Sequence, residues 1–289
     1  MGKIIGFIGQ GWIGKNYADD FEKRGYQTVR YSLEEPYVQN KEKIKDCDIV
    51  FIAVPTPTTP EGFDDSIVRK AVSGVGLGKI AVIKSTLKPG TTRSIQKQYP
   101  EILVVHSPEF LSRSTAALDV AKPIQNIIGM PDSNDSYRRV AELVLSILPE
   151  APSMVVSAET AELYKYVHNT SLFARSIFMN VLYEIAERLN VDWDDIKQAI
   201  QNDPMIAFQT PTVSHWHIEP RHVGGRGIGG DCHIKDMETF SRFYAEIVGE
   251  ESGRKMLEAM KEKNIKLLLE SQKDLDLLKG VYGEELINK

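Results

Sequence analysis

Residues 1–14 read MGKIIGFIGQGWIG, and the point where the apolar run gives way to glycines decides the fold. Lys3–Ile8 has the length and β-branched content of a buried strand. It ends in Gly9-Gln10-Gly11-Trp12-Ile13-Gly14, a GxGxxG pattern, and Lys15–Arg24 then turns Tyr17, Ala18 and Phe21 to one helical face. In such a turn the first glycine makes the tight bend and the second lets backbone approach a pyrophosphate. The third lets the helix lie close on the strand. Between a strand and a helix the pattern predicts a dinucleotide site, with Gly9, Gly11, Trp12, Ile13 and Gly14 on the cofactor side.

Outward from this turn, strand and helix patterns alternate through the first half. Strands are expected at 3–8, 27–31, 49–54, 80–84, 102–105, 125–129 and 153–156. Helices are expected at 15–24, 65–74, 91–98 and 135–148. The alternation predicts an α/β, Rossmann-like doubly wound parallel sheet over residues 1–156, with ligand at the carboxyl ends of the strands. Those ends carry VPTPT (54–58), KSTLKPGTT (84–92) and HSPEF (106–110), read as the wall of one cleft. Val54, Pro55, Thr56, Ser85 and Thr86 are its cofactor-side residues. A carboxylate after the second strand would read a ribose 2′-hydroxyl, but Ser32 stands there and Arg30 just before it. NAD is the expected cofactor, with NADP the alternative if Ser32 and Arg30 accept a 2′-phosphate.

Beyond Ser157 the pattern changes. Ala158–Leu189 has helical spacing without Pro or Gly, so residues 157–190 are expected to form one connecting spine helix. An all-helical domain follows over 191–289. It is expected to hold a short helix at 192–201, an irregular loop at 202–231, and helix from 233 to about 278 with a break near 249–253. The last dozen residues read as a tail.

The loop leads into GIGGDCHIKD, Gly227–Asp236. Cys232 there enters a helix whose free N–H groups and dipole lower a thiol pKa and stabilise an oxyanion. Asp236 falls one turn further on the same face. A glycine shelf including Gly229, a thiol and a carboxylate together suit covalent catalysis. Lys165 and Asn169 are four apart on the spine, where an amine and an amide could stabilise an alkoxide. His215, His217 and His222 match no zinc spacing, and no metal is expected.

A net charge of −5 gives no electrostatic footprint for nucleic acid. No apolar stretch approaches the ~20 residues that cross a bilayer, and the charged N-terminus is not a secretory signal. The two cysteines, Cys47 and Cys232, sit in unlike contexts and suggest no disulfide framework. A cytoplasmic location is expected.

Taken in order from Met1 to about Arg242, the segments GQGWIG, VPTP, KSTLKPGTT, SPEFL, the spine's E-L-x-K-x-x-x-N and GIGGDCHIKD resemble the UDP-glucose/GDP-mannose dehydrogenase family. The resemblance implies oxidation of a nucleotide sugar's primary alcohol to a carboxylate, UDP-glucose to UDP-glucuronate, by two hydride transfers to NAD. It also implies a role in polysaccharide synthesis. It implies Cys232 as nucleophile through a thiohemiacetal and a thioester, with Lys165 and Asn169 at the oxyanion. Asp236, Thr86 and Glu109 would manage the proton and the water. Phe110 and Leu111 would offer backbone to the sugar, and Lys235 would lie near the cofactor.

A homodimer through the helical domain is also implied. Three positions depart from the family: Ser107 in place of Asn, Arg113 in place of Glu, and Ser32 in place of Asp. The family's C-terminal nucleotide-binding domain has no counterpart in this sequence, so diphosphate recognition is expected from Arg221 and Arg226 or from another subunit. Two other readings stay open: a single-hydride enzyme like the β-hydroxyacid dehydrogenases, and a non-catalytic homologue that binds dinucleotide or sugar nucleotide.

Overall fold

In a computed structural model of the chain, residues 2–203, 206, 219–220 and 224–286 are described. The chain runs β1 (Ile4–Ile8), α1 (Trp12–Lys23), β2 (Gln27–Tyr31), a 3-10 helix (Val38–Asp46) and β3 (Ile49–Ile52). A two-stranded hairpin follows, β4 (Thr58–Thr59) and β5 (Gly62–Phe63), then α2 (Ser66–Val72), β6 (Ile80–Ile83), α3 (Thr91–Gln98) and β7 (Leu103–His106). The first half ends with α4 (Ala116–Ala121), β8 (Asn126–Met130), α5 (Asp135–Ile147) and β9 (Ser153–Ser157). The remaining elements are helices: α6 (Ala158–Leu189), α7 (Trp193–Asn202), α8 (Gly230–Ile247), α9 (Glu251–Glu270) and α10 (Leu275–Tyr282), closed by a short 3-10 turn.

Seven strands form one sheet in the order β2-β1-β3-β6-β7-β8-β9. Alternate residues of the central strands feed two apolar layers, which is what a doubly wound sheet requires. Ile5, Phe7, Phe51 and Val82 pack with Tyr17 and Phe21 of α1 and Val140 and Val144 of α5. Ile8, Val50, Ile52 and Ile83 pack on the other side with Val68 of α2 and Ile95 of α3. Phe7 sits 5.4 Å from both Phe21 and Phe51, so three rings lock α1 to the sheet. Cys47 lies fully buried in the second layer as a small hydrophobe.

Sequence order reverses at β1, which has β2 on one side and β3 on the other. That switch point opens a crevice at the carboxyl ends of β1 and β3, where ligands of such sheets bind.

The sheet is not wholly parallel: β8 runs antiparallel to β7, while β9 is parallel to β8. The link from β7 to β8 holds only the six-residue α4, and a strand re-entering from the edge its predecessor left needs no crossover. Neither α4 nor the 3-10 helix was expected from periodicity: α4 has only six residues, and the 3-10 helix buries Ile44 alone and so shows no apolar face.

The chain divides into two units, residues 1–57 with 63–165 and residues 58–62 with 166–289. In the second unit, Phe173 and Ile177 of α6 pack with Met237 of α8 and Leu257 and Leu267 of α9. Asp192 caps α7 by accepting from Asp194 N, and Glu250 caps α9 by accepting from Ser252 N and Gly253 N. Gly249, at φ +66, ends α8, so the expected break is a C-cap followed at once by an N-cap.

Two expectations are corrected. Helix α8 starts at Gly230, three residues before the expected His233. A second break at Ser271–Asp274 precedes α10, whose Leu278 and Val281 are core residues rather than part of a tail.

Candidate functional site

In the first unit the glycine turn is built as a dinucleotide cradle. Gly9 takes φ +91, and a Cβ there would meet the Ala53 carbonyl at 2.1 Å. A Cβ on Gly14 would lie 1.9 Å from the Gly9 carbonyl, so strand, turn and helix close only without side chains. Gly11 is the reverse case: a Cβ would meet nothing within 4 Å. It is the N-cap of α1 and offers no side-chain cap, leaving the amides that begin with Trp12 and Ile13 facing that open space. Gln10 Oε1 is buried there without a hydrogen-bond partner among the described residues. Open backbone, unsatisfied helix amides and an orphaned acceptor fit a bound pyrophosphate and ribose.

The strand ends beside this turn are tied to one another. Ser85 Oγ accepts from Val54 N at 3.0 Å and donates to Val54 O at 2.7 Å, while Thr56 Oγ1 donates to Thr86 O at 2.8 Å. Pro55 lies between the two ties. Arg30 is already committed: it forks onto Glu22 at 2.8 and 2.6 Å and reaches Asp19 at 2.7 Å. A 2′-phosphate would have to displace two carboxylates to use it, which favours NAD. Ser32 Oγ donates to Glu34 O at 2.9 Å and supplies no carboxylate to the ribose.

At the carboxyl ends of β6 and β7 the structure adds residues that sequence reasoning missed. Lys84 is 3 % exposed, donates to Ser107 Oγ at 3.1 Å and lies 4.5 Å from the centre of the Tyr17 ring. Burial pushes its amine down to about 7, against the attraction of Glu109. Fully buried His106 has Nε2 3.2 Å from Ser85 O, and burial pushes the ring down to about 3. It is therefore neutral, with Nε2–H donating. The available signal was an ionisable residue closing an otherwise apolar strand, in IAVIK and LVVH.

Glu109 and Lys165 form a buried pair, each 4 % exposed. Lys165 Nζ reaches Glu109 Oε1 at 3.1 Å and its carbonyl at 2.6 Å, and lies 5.4 Å from the Phe110 ring centre. The Leu111 amide is spent on Glu109 Oε2 at 2.7 Å, so a sugar takes that donor only in exchange for the carboxylate. Glu162, on the same spine turn, accepts from Gly90 N, Thr92 N and Thr92 Oγ1 at 2.6–2.7 Å and anchors α6 to the start of α3.

In the second unit Cys232 is the third residue of α8 and partly exposed. Asp236, one turn on, is 1 % exposed. Its two oxygens accept from Asn169 Nδ2 and Lys235 Nζ, both at 2.6 Å. Sequence spacing put these residues on two helix faces, and the structure adds that the carboxylate joins them.

Asp231 shares the first turn with Cys232, and Asp274 accepts from Gly230 N at 2.9 Å. Their negative charge offsets the positive potential at this end of the helix. Thr58, from the VPTPT segment, donates to Lys235 O at 3.2 Å and lies 2.6 Å from Thr239 Oγ1. Arg242 grips the Thr59 and Pro60 carbonyls, so the hairpin is seated on α8.

Arg226 is paired with Glu184 at 2.7 Å and bonded to Asn180, so a diphosphate would compete with Glu184 for it. Arg221, His215, His217 and His222 lie outside the described residues. Among the described residues no group of three His, Cys, Asp or Glu could hold a metal, and no helix is long and apolar enough to cross a membrane.

In the first unit a switch-point crevice with this glycine cradle defines a dinucleotide-binding fold, and the second unit carries a thiol and a clasped carboxylate of its own. The sequence matches the UDP-glucose/GDP-mannose dehydrogenase family, NAD binding domain, over residues 36–147, and its central domain over 159–266. The chain belongs to the UDP-glucose/GDP-mannose dehydrogenase family, and its cofactor is NAD.

It is 29% identical to the UDP-glucose 6-dehydrogenase of Rhizobium meliloti over 210 residues, covering 68% of this chain and 46% of that protein. It is 27% identical to the GDP-mannose 6-dehydrogenase of Pseudomonas aeruginosa over 239 residues, covering 76% and 51%. The chain thus spans about half the length of these relatives. A solved UDP-glucose dehydrogenase from Pyrobaculum islandicum superposes with TM-score 0.76 at 26% identity, over 93% of this chain and 70% of that one.

Proposed function

We propose that the chain oxidises the primary alcohol of a nucleotide sugar to a carboxylate, UDP-glucose to UDP-glucuronate, with Cys232 as covalent nucleophile. The supporting observation is a thiol in the first turn of α8, one turn from a buried carboxylate that Asn169 and Lys235 hold in place. When bound, NAD+ takes up one hydride in each of two oxidations.

Alcohol oxidation leaves an aldehyde and a proton, and Lys165 and Asn169, one turn apart on α6, stabilise the charge on its oxygen. The Cys232 sulfur bonds to the aldehyde carbon as the carbonyl becomes a hydroxyl, giving a thiohemiacetal. Loss of a hydride and the hydroxyl proton turns that adduct into a thioester. Water, ordered by Glu109 and Thr86, adds to the carbonyl. The C–S bond then breaks, releasing the acid and the thiol.

A helix N-terminus stabilises an anion by roughly 0.3–1 kcal/mol at an accessible site, less than the 1.36 kcal/mol of one pKa unit. Asp231 and Asp274 offset part of that potential, and Asp236 serves as the base toward the Cys232 thiol. The Phe110 and Leu111 backbone and Gly229 contact the sugar, and Arg221 and Arg226 the diphosphate.

Counting cofactor reduced per UDP-glucose consumed tests the reading, and two is the expected stoichiometry. One would mark a single-hydride alcohol dehydrogenase. None across UDP-glucose, GDP-mannose and UDP-N-acetylmannosamine would leave a binding protein. The reaction runs in the cytoplasm, where thiols stay reduced.

The active species is a homodimer. Phe178, Val181, Ile185 and Leu189 form an exposed apolar stripe at helical spacing on α6, with Phe178 59% exposed, and a second copy covers it. Phe178→Asp is expected to sediment as a monomer, and a wild type that is itself monomeric would defeat this assignment.

A further inference from the structure

The segment Gly224–Gly230, GGRGIGG, has few side chains with which to hold itself, and glycine loses more freedom on ordering than any other residue. It is nevertheless held at four of its last five residues by the end of α9 and the turn after it. Ser271 Oγ accepts from Arg226 N at 2.8 Å, and Lys273 Nζ donates to Gly227 O at 3.0 Å. Asn264 closes on Ile228 from both sides, Oδ1 accepting from its N–H at 2.8 Å and Nδ2 donating to its carbonyl at 2.9 Å. Asp274 Oδ2 accepts from Gly230 N at 2.9 Å. The fit is close enough that a Cβ on Gly229 would lie 1.7 Å from Asp274 Oδ2.

We propose that Asn264, backed by Ser271, Lys273 and Asp274, is a positioning residue that sets the shelf and so the height and direction from which Cys232 attacks. This rests on the covalent reaction proposed above. Asn264 is 2% exposed and Ile228 3%, so removing the amide leaves a buried donor and a buried acceptor of Ile228 without their partner. The Ile228 peptide then has to turn outward to find partners, and α8 loses the residue that enters its first turn. Asn264 touches neither sulfur nor sugar and acts only through the backbone leading to Cys232.

The test uses Asn264→Ala and Ser271→Ala in the full chain, read by amide hydrogen exchange and by NAD+ reduction with UDP-glucose. In Asn264→Ala, exchange over residues 226–232 accelerates about tenfold or more while α6 and the first unit keep wild-type rates. Turnover falls about 100-fold in kcat, with the KM for NAD+ within about twofold of wild type, because displacement of a reacting group is read in the chemical step.

Unchanged exchange over 226–232 overturns the proposal. So does acceleration spread evenly through the second unit, or a loss carried by the KM for NAD+. If Asn264→Ala does not fold, Ser271→Ala decides by the same readouts, with about threefold local acceleration expected and none overturning it. A wild type that turns over no sugar nucleotide defeats the proposed reaction, while the exchange measurement still rules on the clamp.

Discussion

Replacing Cys232 by alanine is expected to abolish the proposed acid formation, lowering its rate on the order of 10⁴-fold or more, and to leave NAD+ affinity at the wild-type value. The physical reason is a missing tetrahedral adduct. An aldehyde carbon carries no hydroxyl whose electrons can expel a hydride, so the second oxidation needs a nucleophile to add first. A methyl group supplies none. The cofactor cradle at Gly9–Gly14 belongs to the other unit and makes no use of the sulfur, so binding followed by nicotinamide fluorescence is the control. Acid formed at an undiminished rate by Cys232→Ala would remove covalent catalysis from the account.

The other large effect is on stability. Lys165→Met leaves Glu109 buried at 4 % exposure without the cation that hydrogen-bonds it, with Lys84 still attracting its carboxylate, and breaking a buried pair in this way costs about 3–5 kcal/mol. Urea unfolding followed by fluorescence should show the loss. Adding Glu109→Gln should recover part of it, because a neutral amide keeps the Leu111 donor without requiring a counter-charge. A loss below about 1 kcal/mol would mean the pair is solvated and behaves as a surface bridge. Lys165→Arg separates the two roles of the lysine: it keeps the charge and most of the stability, while a group placed for an alkoxide loses turnover.

The parts of this molecule legible in its sequence are those whose signal is local. Ile4–Ile8 followed by GxGxxG announces a strand, a turn and a helix within twenty residues. Ala158–Leu189 announces one long helix because nothing in it breaks the period. The start of α8 was not legible, because the carboxylate that satisfies Gly230 N comes from Asp274, forty-four residues downstream. The break at Ser271–Asp274 was hidden for a related reason. Gln272 and Asp274 adopt left-handed conformations without a glycine to advertise the turn. The antiparallel β8 could not be read from pattern, since an apolar strand carries no mark of its direction.

At the candidate site, residue types were readable and their pairings were not. Asp236, Asn169 and Lys235 were each visible, but that one carboxylate clasps the other two is a tertiary fact. Arg30 and Arg226 read as anion receptors until their own carboxylate partners are seen.

Because Thr58–Gly62 is emitted early yet completes a surface of α8, synthesis order and assembly order diverge. A nascent chain must carry that small β-ribbon undocked until roughly 180 further residues have left the ribosome, and closing so wide a loop is entropically slow. A fragment truncated before Gly230 cannot bury Thr58 or occupy the Thr59 and Pro60 carbonyls. Fragments cut at the linear midpoint therefore should not behave as autonomous modules.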